Sequence, residues 1–286
     1  MDKAVQFGPQ NILTGILSEP EQAAADRPTV VVLNTNVMHR VGANRLYPPL
    51  ARELADLGVP VLRYDLSGIG DSDVRPGEMT PYELVKADVK DALDFLEKET
   101  SSKKFVLMGL CAGANLAIIC SSHDDRVVGT VLMDPTIPQT PRFYRERAKR
   151  IVRQLFSPAI FHMRARIRAY LVERRQRQEK PVVAVAASQV DPEAVSTFFG
   201  EIYAKSAARD VKMLAVFTAG MQLYHNYREQ ILDAWPNIPL GKLMTLEYFS
   251  GSDHYFTRQS DRDRLHVLIK DWIKNTDFAQ PKSAAL

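Results

Sequence analysis

The segment Phe105-Val-Leu-Met-Gly-Leu-Cys-Ala-Gly-Ala-Asn-Leu-Ala117 sets one thiol, Cys111, between Gly109 and Gly113, at the junction of an apolar run and a helix-forming run. A nucleophile on so sharp a strand-to-helix turn sits in strained backbone, and side chains two positions to either side would collide; hence the small residues. The same turn aims a helix N-terminus at the thiol. Its free N–H groups and dipole lower a thiol pKa and stabilise an oxyanion. The chemistry this permits is nucleophilic attack by a thiolate with a covalent intermediate. A free cysteine can instead be buried and inert, but the preceding strand, the following helix and both glycines together favour the reactive reading. Cys120 is the second cysteine, and the pair gives neither a disulfide framework nor a metal site, because no CxxC or His/Cys cluster accompanies it.

Such a turn needs a sheet behind it. Five apolar runs rich in Val, Leu, Ile or Phe end in turn residues: Thr29–Leu33, Val59–Tyr64, Phe105–Met108, Val127–Met133 and Met213–Thr218; Leu243–Phe249 is a sixth. Runs this continuous suit strands buried on both faces of a parallel sheet. Helical spacing follows in Leu46, Leu50, Leu54 and Leu57, in Leu84, Val85, Val89, Leu93 and Leu96, and in Leu265, Leu268, Ile269 and Trp272. The alternation predicts βαβ units. Val5–Phe7 and Leu13–Leu17, split by Gly-Pro, predict an antiparallel hairpin at a sheet edge. From Thr136 to Asp210 the alternation lapses. One amphipathic stripe is Tyr144, Ala148, Ile151, Val152, Leu155 and Phe156; another is Ile160, Met163, Ile167, Tyr170 and Leu171; a third helix is expected over Pro192–Ala207. The organisation expected is a core of residues 1–135 and 211–278, a helical lid over 136–210 and a disordered tail over 279–286.

The Gly109-Leu110-Cys111-Ala112-Gly113 turn resembles the nucleophile elbow of the α/β-hydrolase family, with cysteine where serine is usual, and the likeness extends over nearly the whole chain. It implies an α/β-hydrolase fold: a mostly parallel central sheet, helices on both faces and an inserted helical lid. In that family the catalytic histidine follows the last strand, which falls on His254 in Phe249-Ser-Gly-Ser-Asp-His254. The usual acid follows the penultimate strand, but Thr218-Ala-Gly-Met-Gln-Leu-Tyr-His-Asn-Tyr227 carries no Asp or Glu. Some members carry the acid one strand earlier, which implies Asp134; a turn-initiating Asp before Pro is the alternative. Asp253 is expected to point away. The loop Asn34-Thr-Asn-Val-Met-His-Arg-Val-Gly42 implies an oxyanion donor at Asn36 or Val37, partnered by the N–H of Ala112, with His39 and Arg40 either at the pocket mouth or in an ordinary solvated loop. Tyr64-Asp-Leu-Ser-Gly-Ile-Gly-Asp-Ser72 resembles a structural turn of lidded members; its lone Gly-x-Gly does not make a nucleotide loop. Together with Asn34–Arg45 it looks like a bacterial branch known as exosortase-system-associated hydrolases.

A cysteine acyl-enzyme is itself a thioester and keeps the acyl-transfer energy of a thioester substrate. Small cysteine-elbow relatives in nonribosomal peptide and polyketide pathways move or cleave acyl groups on carrier-protein thiols, and this chain resembles them. The expected activity is a cysteine-dependent acyltransferase or thioesterase acting on acyl thioesters of carrier proteins or coenzyme A. An ester or lactone hydrolase and a non-catalytic binding protein are the alternatives. The chain carries 37 Lys/Arg against 34 Asp/Glu, a net +3, too little to imply nucleic acid. Thirteen of the cations, against three acids, lie between Thr136 and Lys180, so an acidic acyl or peptidyl carrier protein is the partner this basic lid would attract; a solvated helix face is the alternative. No cofactor or metal is required. Neither a signal-like N-terminus nor a membrane-length apolar run is found, and a cytoplasmic location is expected.

Overall fold

The structure is a computed structural model and describes residues 1–24, 26–100, 102–155 and 191–278. In chain order the elements are β1 (Asp2–Phe7), β2 (Leu13–Ser18), β3 (Thr29–Leu33), α1 (Tyr47–Ala55), β4 (Val61–Tyr64), α2 (Pro81–Thr100), β5 (Phe105–Leu110) and α3 (Ala112–Ser121). There follow β6 (Val127–Met133), α4 (Pro141–Leu155), α5 (Pro192–Ala208), β7 (Lys212–Thr218), β8 (Met244–Phe249) and α6 (Gln259–Asn275). They form one sheet in the order β1-β2-β4-β3-β5-β6-β7-β8. The six apolar runs are the six parallel strands, and the β1–β2 hairpin joins β4 antiparallel, with Gly15 opposite Tyr64.

The strands are apolar throughout because both faces are covered. Successive strand residues point to opposite sides: Val30 and Val32 face α1 and α6, packing with Leu50, Leu54, Leu265 and Ile269, whereas Val31 and Leu33 face α2, α3 and α5. The chain runs from β3 outward to β4 and then back across to β5 on the other side of β3. That reversal opens a crevice above the C-terminal ends of β3 and β5, where ligands bind in open α/β sheets.

The expected lid divides into parts with different roles. Helix α5 is a layer helix of the core: Phe199, Ile202, Tyr203 and Ala207 are buried in the same cluster as α3, and Ser206 meets Ser121 at 3.1 Å. A parallel β6–β7 pair requires a crossover on one face, and α5 is its covering helix. Helix α4 stands apart, with Tyr144, Ile151 and Val152 facing solvent. Arg142 ties it to the segment after β7, 3.3 Å from Glu229 and 3.4 Å from Asp233, with its guanidinium 4.2 Å over the Tyr227 ring. The stripe expected over Ile160–Leu171 and the tail over 279–286 lie outside the described residues.

The turn after β4 anchors the loop after β3. Asp65 is fully buried and accepts from Arg40 N at 2.6 Å, from Asn34 Nδ2 at 3.2 Å, from Asp71 N at 3.2 Å and from the Arg40 guanidinium. Gly70 has φ +55°, and a Cβ there would collide with the Asp65 carboxylate. Removing one member of such a buried ion pair strands the other's charge. Asp65→Ala is therefore expected to lower unfolding free energy by about 3–5 kcal/mol in urea denaturation; a loss below about 1 kcal/mol would deny the turn its anchoring role.

Candidate functional site

Cys111 ends β5 and caps α3 with φ 55° and ψ −115°, a conformation that L-residues adopt only under constraint. Its N–H donates to Met133 O at 2.8 Å and its carbonyl accepts from Asn115 N at 3.1 Å, which fixes the turn from both sides. The glycines are there for space. A Cβ at Gly113 would lie 2.8 Å from the carbonyl oxygens of Leu33 and Asn34, and one at Gly109 would run into the backbone of Gly113. The half-buried thiol faces His254. Hydrogen bonding to His254 lowers its pKa most, and the Ala112 N–H lowers it further, against the opposing effect of burial.

The imidazole has a second partner. His254 Nδ1 lies 2.8 Å from Asp134 Oδ2, leaving the other edge of the ring toward the thiol. Burial works against a charged ring, but the bonds to Asp134 and Cys111 outweigh it and push the His254 pKa up to about 9. Asp134 is 3% exposed and has φ 47°, which carries its side chain across to β7. There Thr218 donates to it twice, from N at 2.7 Å and from Oγ1 at 2.6 Å. His225, on the loop after β7, brings Nε2 to 3.0 Å from Oδ1. Burial would raise the carboxyl pKa; His225, His254 and Thr218 together hold it below the usual carboxylate range. Asp253 takes no part, since it accepts from Tyr255 N at 2.9 Å and Thr257 Oγ1 at 3.0 Å within its own loop.

The loop after β3 faces the elbow. Thr35 Oγ1 donates to Leu110 O at 2.9 Å, pinning the loop beside Cys111, and Met38 N closes a turn on Thr35 O at 3.0 Å. Asn36, at φ 49°, and Val37, 86% exposed, form the middle of that turn. Their backbone N–H groups donate to no partner among the described residues. Arg40 is a latch: it binds Asp65, and its Nη2 lies 2.8 Å from Asp71. This commitment to two carboxylates is what the structure shows of the residue expected at the pocket mouth. His39 belongs to the same cluster, 3.4 Å from each carboxylate. His39, Asp65 and Asp71 bring ligand-type atoms within 4.8 Å of one another, but the Arg40 guanidinium already occupies a position between the two acids.

Three contributors were not singled out from sequence. His225 sits in the loop that lacks an acid, and a histidine there is the signal. Thr218 is the last residue of its strand. Asn115, four residues past Cys111 and so one helical turn on, exchanges two 2.8 Å hydrogen bonds with Thr136 and ties α3 to the segment after Asp134.

A thiol on a constrained turn between β5 and α3, meeting an imidazole from the loop after the last strand over a sheet of this order, places the chain in the α/β-hydrolase superfamily. Within it, the chain belongs to the family described as serine aminopeptidase, S33, whose model matches residues 31–237. A polyketide transferase, grgF from Penicillium sp., is 28% identical over 97 residues, a match covering only 33% of this chain and 33% of that relative. The crystal structure of the α/β hydrolase GrgF from Penicillium sp. sh18 aligns over 97% of this chain and 99% of its own, with TM-score 0.55 and 18% identity. The esterase Pf2001 of Pyrococcus furiosus aligns over 96% and 92% with TM-score 0.57 and 17% identity. A serine hydrolase without a lid, XC6422 of Xanthomonas campestris, gives 96% and 92% with TM-score 0.54 and 14% identity. At these identities the solved structures share the fold. No described helix is long and apolar enough to cross a membrane.

The thiol pKa is lowered and the imidazole pKa raised, the directions that favour a thiolate–imidazolium pair. Alkylation of Cys111 by iodoacetamide is expected to reach half its maximum rate below the value near 8.5 of a free thiol. A midpoint at or above that value would exclude the ion pair.

Proposed function

We propose that the protein is a cysteine-dependent acyltransferase or thioesterase that takes an acyl group from a carrier-protein- or coenzyme-A-linked thioester through an acyl-enzyme at Cys111. The observation that carries this reading is the Cys111–His254–Asp134 chain, with the acid 2.8 Å from the imidazole. His254 takes the thiol proton. The thiolate adds to the thioester carbonyl, and the tetrahedral oxyanion is held by the Ala112 N–H together with that of Asn36 or Val37. Collapse breaks the carbonyl–sulfur bond of the substrate, and the leaving thiolate takes the proton from His254. A second thiol, or water, then gives its proton to His254 and attacks the Cys111 thioester, restoring the free enzyme.

The partial match to a polyketide transferase supports acyl transfer, and the family match supports hydrolysis. Hydrolysis of an ester or lactone is therefore the second reading. The non-catalytic reading rested on the missing acid after β7, and the contact of Asp134 with His254 weighs against it. For α4 the reading extends to docking. Beyond Arg142, which pairs with Glu229 and Asp233, the helix carries Arg145, Arg147, Lys149, Arg150 and Arg153 against Glu146, a cationic set suited to an acidic carrier protein.

Mixed with acyl-pantetheine thioesters, wild type is expected to gain the acyl mass in intact-protein spectra and Cys111→Ala to gain none. Cleavage of simple esters with no thioester adduct would transfer the conclusion to the ester or lactone reading. Asp134→Asn should lower kcat by roughly 10²–10⁴-fold with KM little changed. Raising salt from 50 to about 500 mM, which shortens the screening length, should raise KM for the carrier-linked substrate and leave that for free acyl-pantetheine unmoved.

A further inference from the structure

Asp134 has four acceptor positions, and the mechanism above uses one. Thr218 fills two and His254 the third. The fourth faces His225, a side chain 1% exposed whose ring is wedged edge-on to Phe217 at 4.7 Å and lies 6.3 Å from Tyr248. Nε2 is 3.0 Å from Oδ1 without forming a hydrogen bond of ordinary geometry, and neither ring nitrogen has another partner among the described residues. A buried polar ring tolerates that only where its one polar neighbour is strongly attractive, and here that neighbour is a carboxylate. The groups that face His225 are Asp134 from the end of β6 and Tyr248 from β8; the phenol, whose pKa is raised, carries no charge at neutral pH.

We propose that His225 is a positioning residue for the reaction at Cys111: Nε2–H holds the oxygen of Asp134 that His254 does not use, keeping the carboxylate ionised and aimed so that His254 stays protonated beside the thiolate. The carboxylate thus lies between two imidazoles. Removing one weakens the hold on its charge, and the loss passes through His254 to the thiol. The inference rests on the reading of Cys111 as the nucleophile.

The test is the pH dependence of Cys111 alkylation by iodoacetamide, followed by peptide mass so that Cys120 is counted separately, alongside kcat, KM and melting temperature. His225→Phe keeps the ring volume and removes the donor. It is expected to move the alkylation midpoint up by about one pH unit and to lower kcat roughly tenfold with KM little changed. His225→Gln places an amide N–H where Nε2 stood and should restore most of both. Should the phenylalanine variant not fold, His225→Asn serves in its place, because its amide is one methylene too short to reach Asp134. Folded variants whose midpoints stay at the wild-type value overturn the proposal. So does an equal fall in kcat for all variants that follows melting temperature and leaves the midpoint alone. A wild-type midpoint as high as that of a free thiol, with no acyl adduct, would defeat the nucleophile reading itself. A low wild-type midpoint that no His225 variant moves defeats this inference alone.

Discussion

A carboxylate sealed from water at the end of β6 is the constraint around which the site is arranged. An isolated buried charge of this kind costs several kcal/mol, so it survives only if donors surround it. Polar groups reach Asp134 from three directions: Thr218 at the end of β7 and His254 from the loop after β8 by hydrogen bonds, and His225 from the loop beyond β7 at 3.0 Å. Each must arrive at close range, and the backbone is shaped accordingly. Gly220 N donates to Ser252 O at 3.1 Å, and a Cβ at Gly220 would lie 3.0 Å from Asp253 Cα and closer still to the His254 nitrogen, so glycine is what lets the two loops meet. Asn115 and Thr136 close the remaining side by tying the segment after Asp134 to α3.

Part of the local strain falls at the site. Of the nine non-glycine residues with positive φ among the described residues, Asn36, Cys111, Asp134 and Phe256, at 49°, 55°, 47° and 49°, lie in the segments that leave the C-terminal ends of parallel strands. Each such residue costs on the order of 1 kcal/mol or more and persists only where its surroundings over-determine it. For Cys111 these are ladder bonds to β6 and the first turn of α3; for Asn36, the Thr35 bond to Leu110 and the latch of Arg40 on Asp65. The fully apolar strands beneath supply the rigidity, since a packed interior does not yield to a strained turn at its edge.

How far the sequence discloses all this depends on whether the signal is local. The elbow is legible because two glycines and a strand-to-helix change are written within nine residues. The parallel strands are legible because double burial forces continuous apolar runs. His254 is placed by chain order, through family likeness. Asp134 is harder: Asp before Pro also starts turns, and only the position of His254, 120 residues away, tells the two apart. Beyond its place in the loop that lacks an acid, His225 carries no local signal, because its neighbour Asp134 sits at the end of a different strand. Helix α5 reads as lid in the sequence because the strand rhythm lapses before it. Its burial of Phe199, Ile202 and Tyr203 depends on α3, and a non-local partner leaves no mark in the local pattern. Arg40, in a glycine-ended loop, gives no hint that Asp65, 25 residues on, has claimed it.

On the proposed reading, a cysteine backed by so complete a set of donors raises a question that serine would not. A thiol ionises readily, so the acid is not needed to help strip its proton. What Asp134 does is set the equilibrium. It raises the imidazole pKa, and the imidazolium in turn lowers that of the thiol. Lowering a thiol pKa increases the thiolate fraction but weakens each thiolate as a nucleophile, so little attacking power is gained once the pKa falls below ambient pH. The gain continues on the other side of the exchange, because a lower-pKa sulfur is a better leaving group. On that reading the Asp134–His254 pair would act most on the second half of the cycle, when Cys111 leaves the proposed acyl-enzyme. An incoming pantetheine thiol, ordinary in pKa, would meet a thioester whose sulfur departs more easily than its own, and the acyl group would move onward.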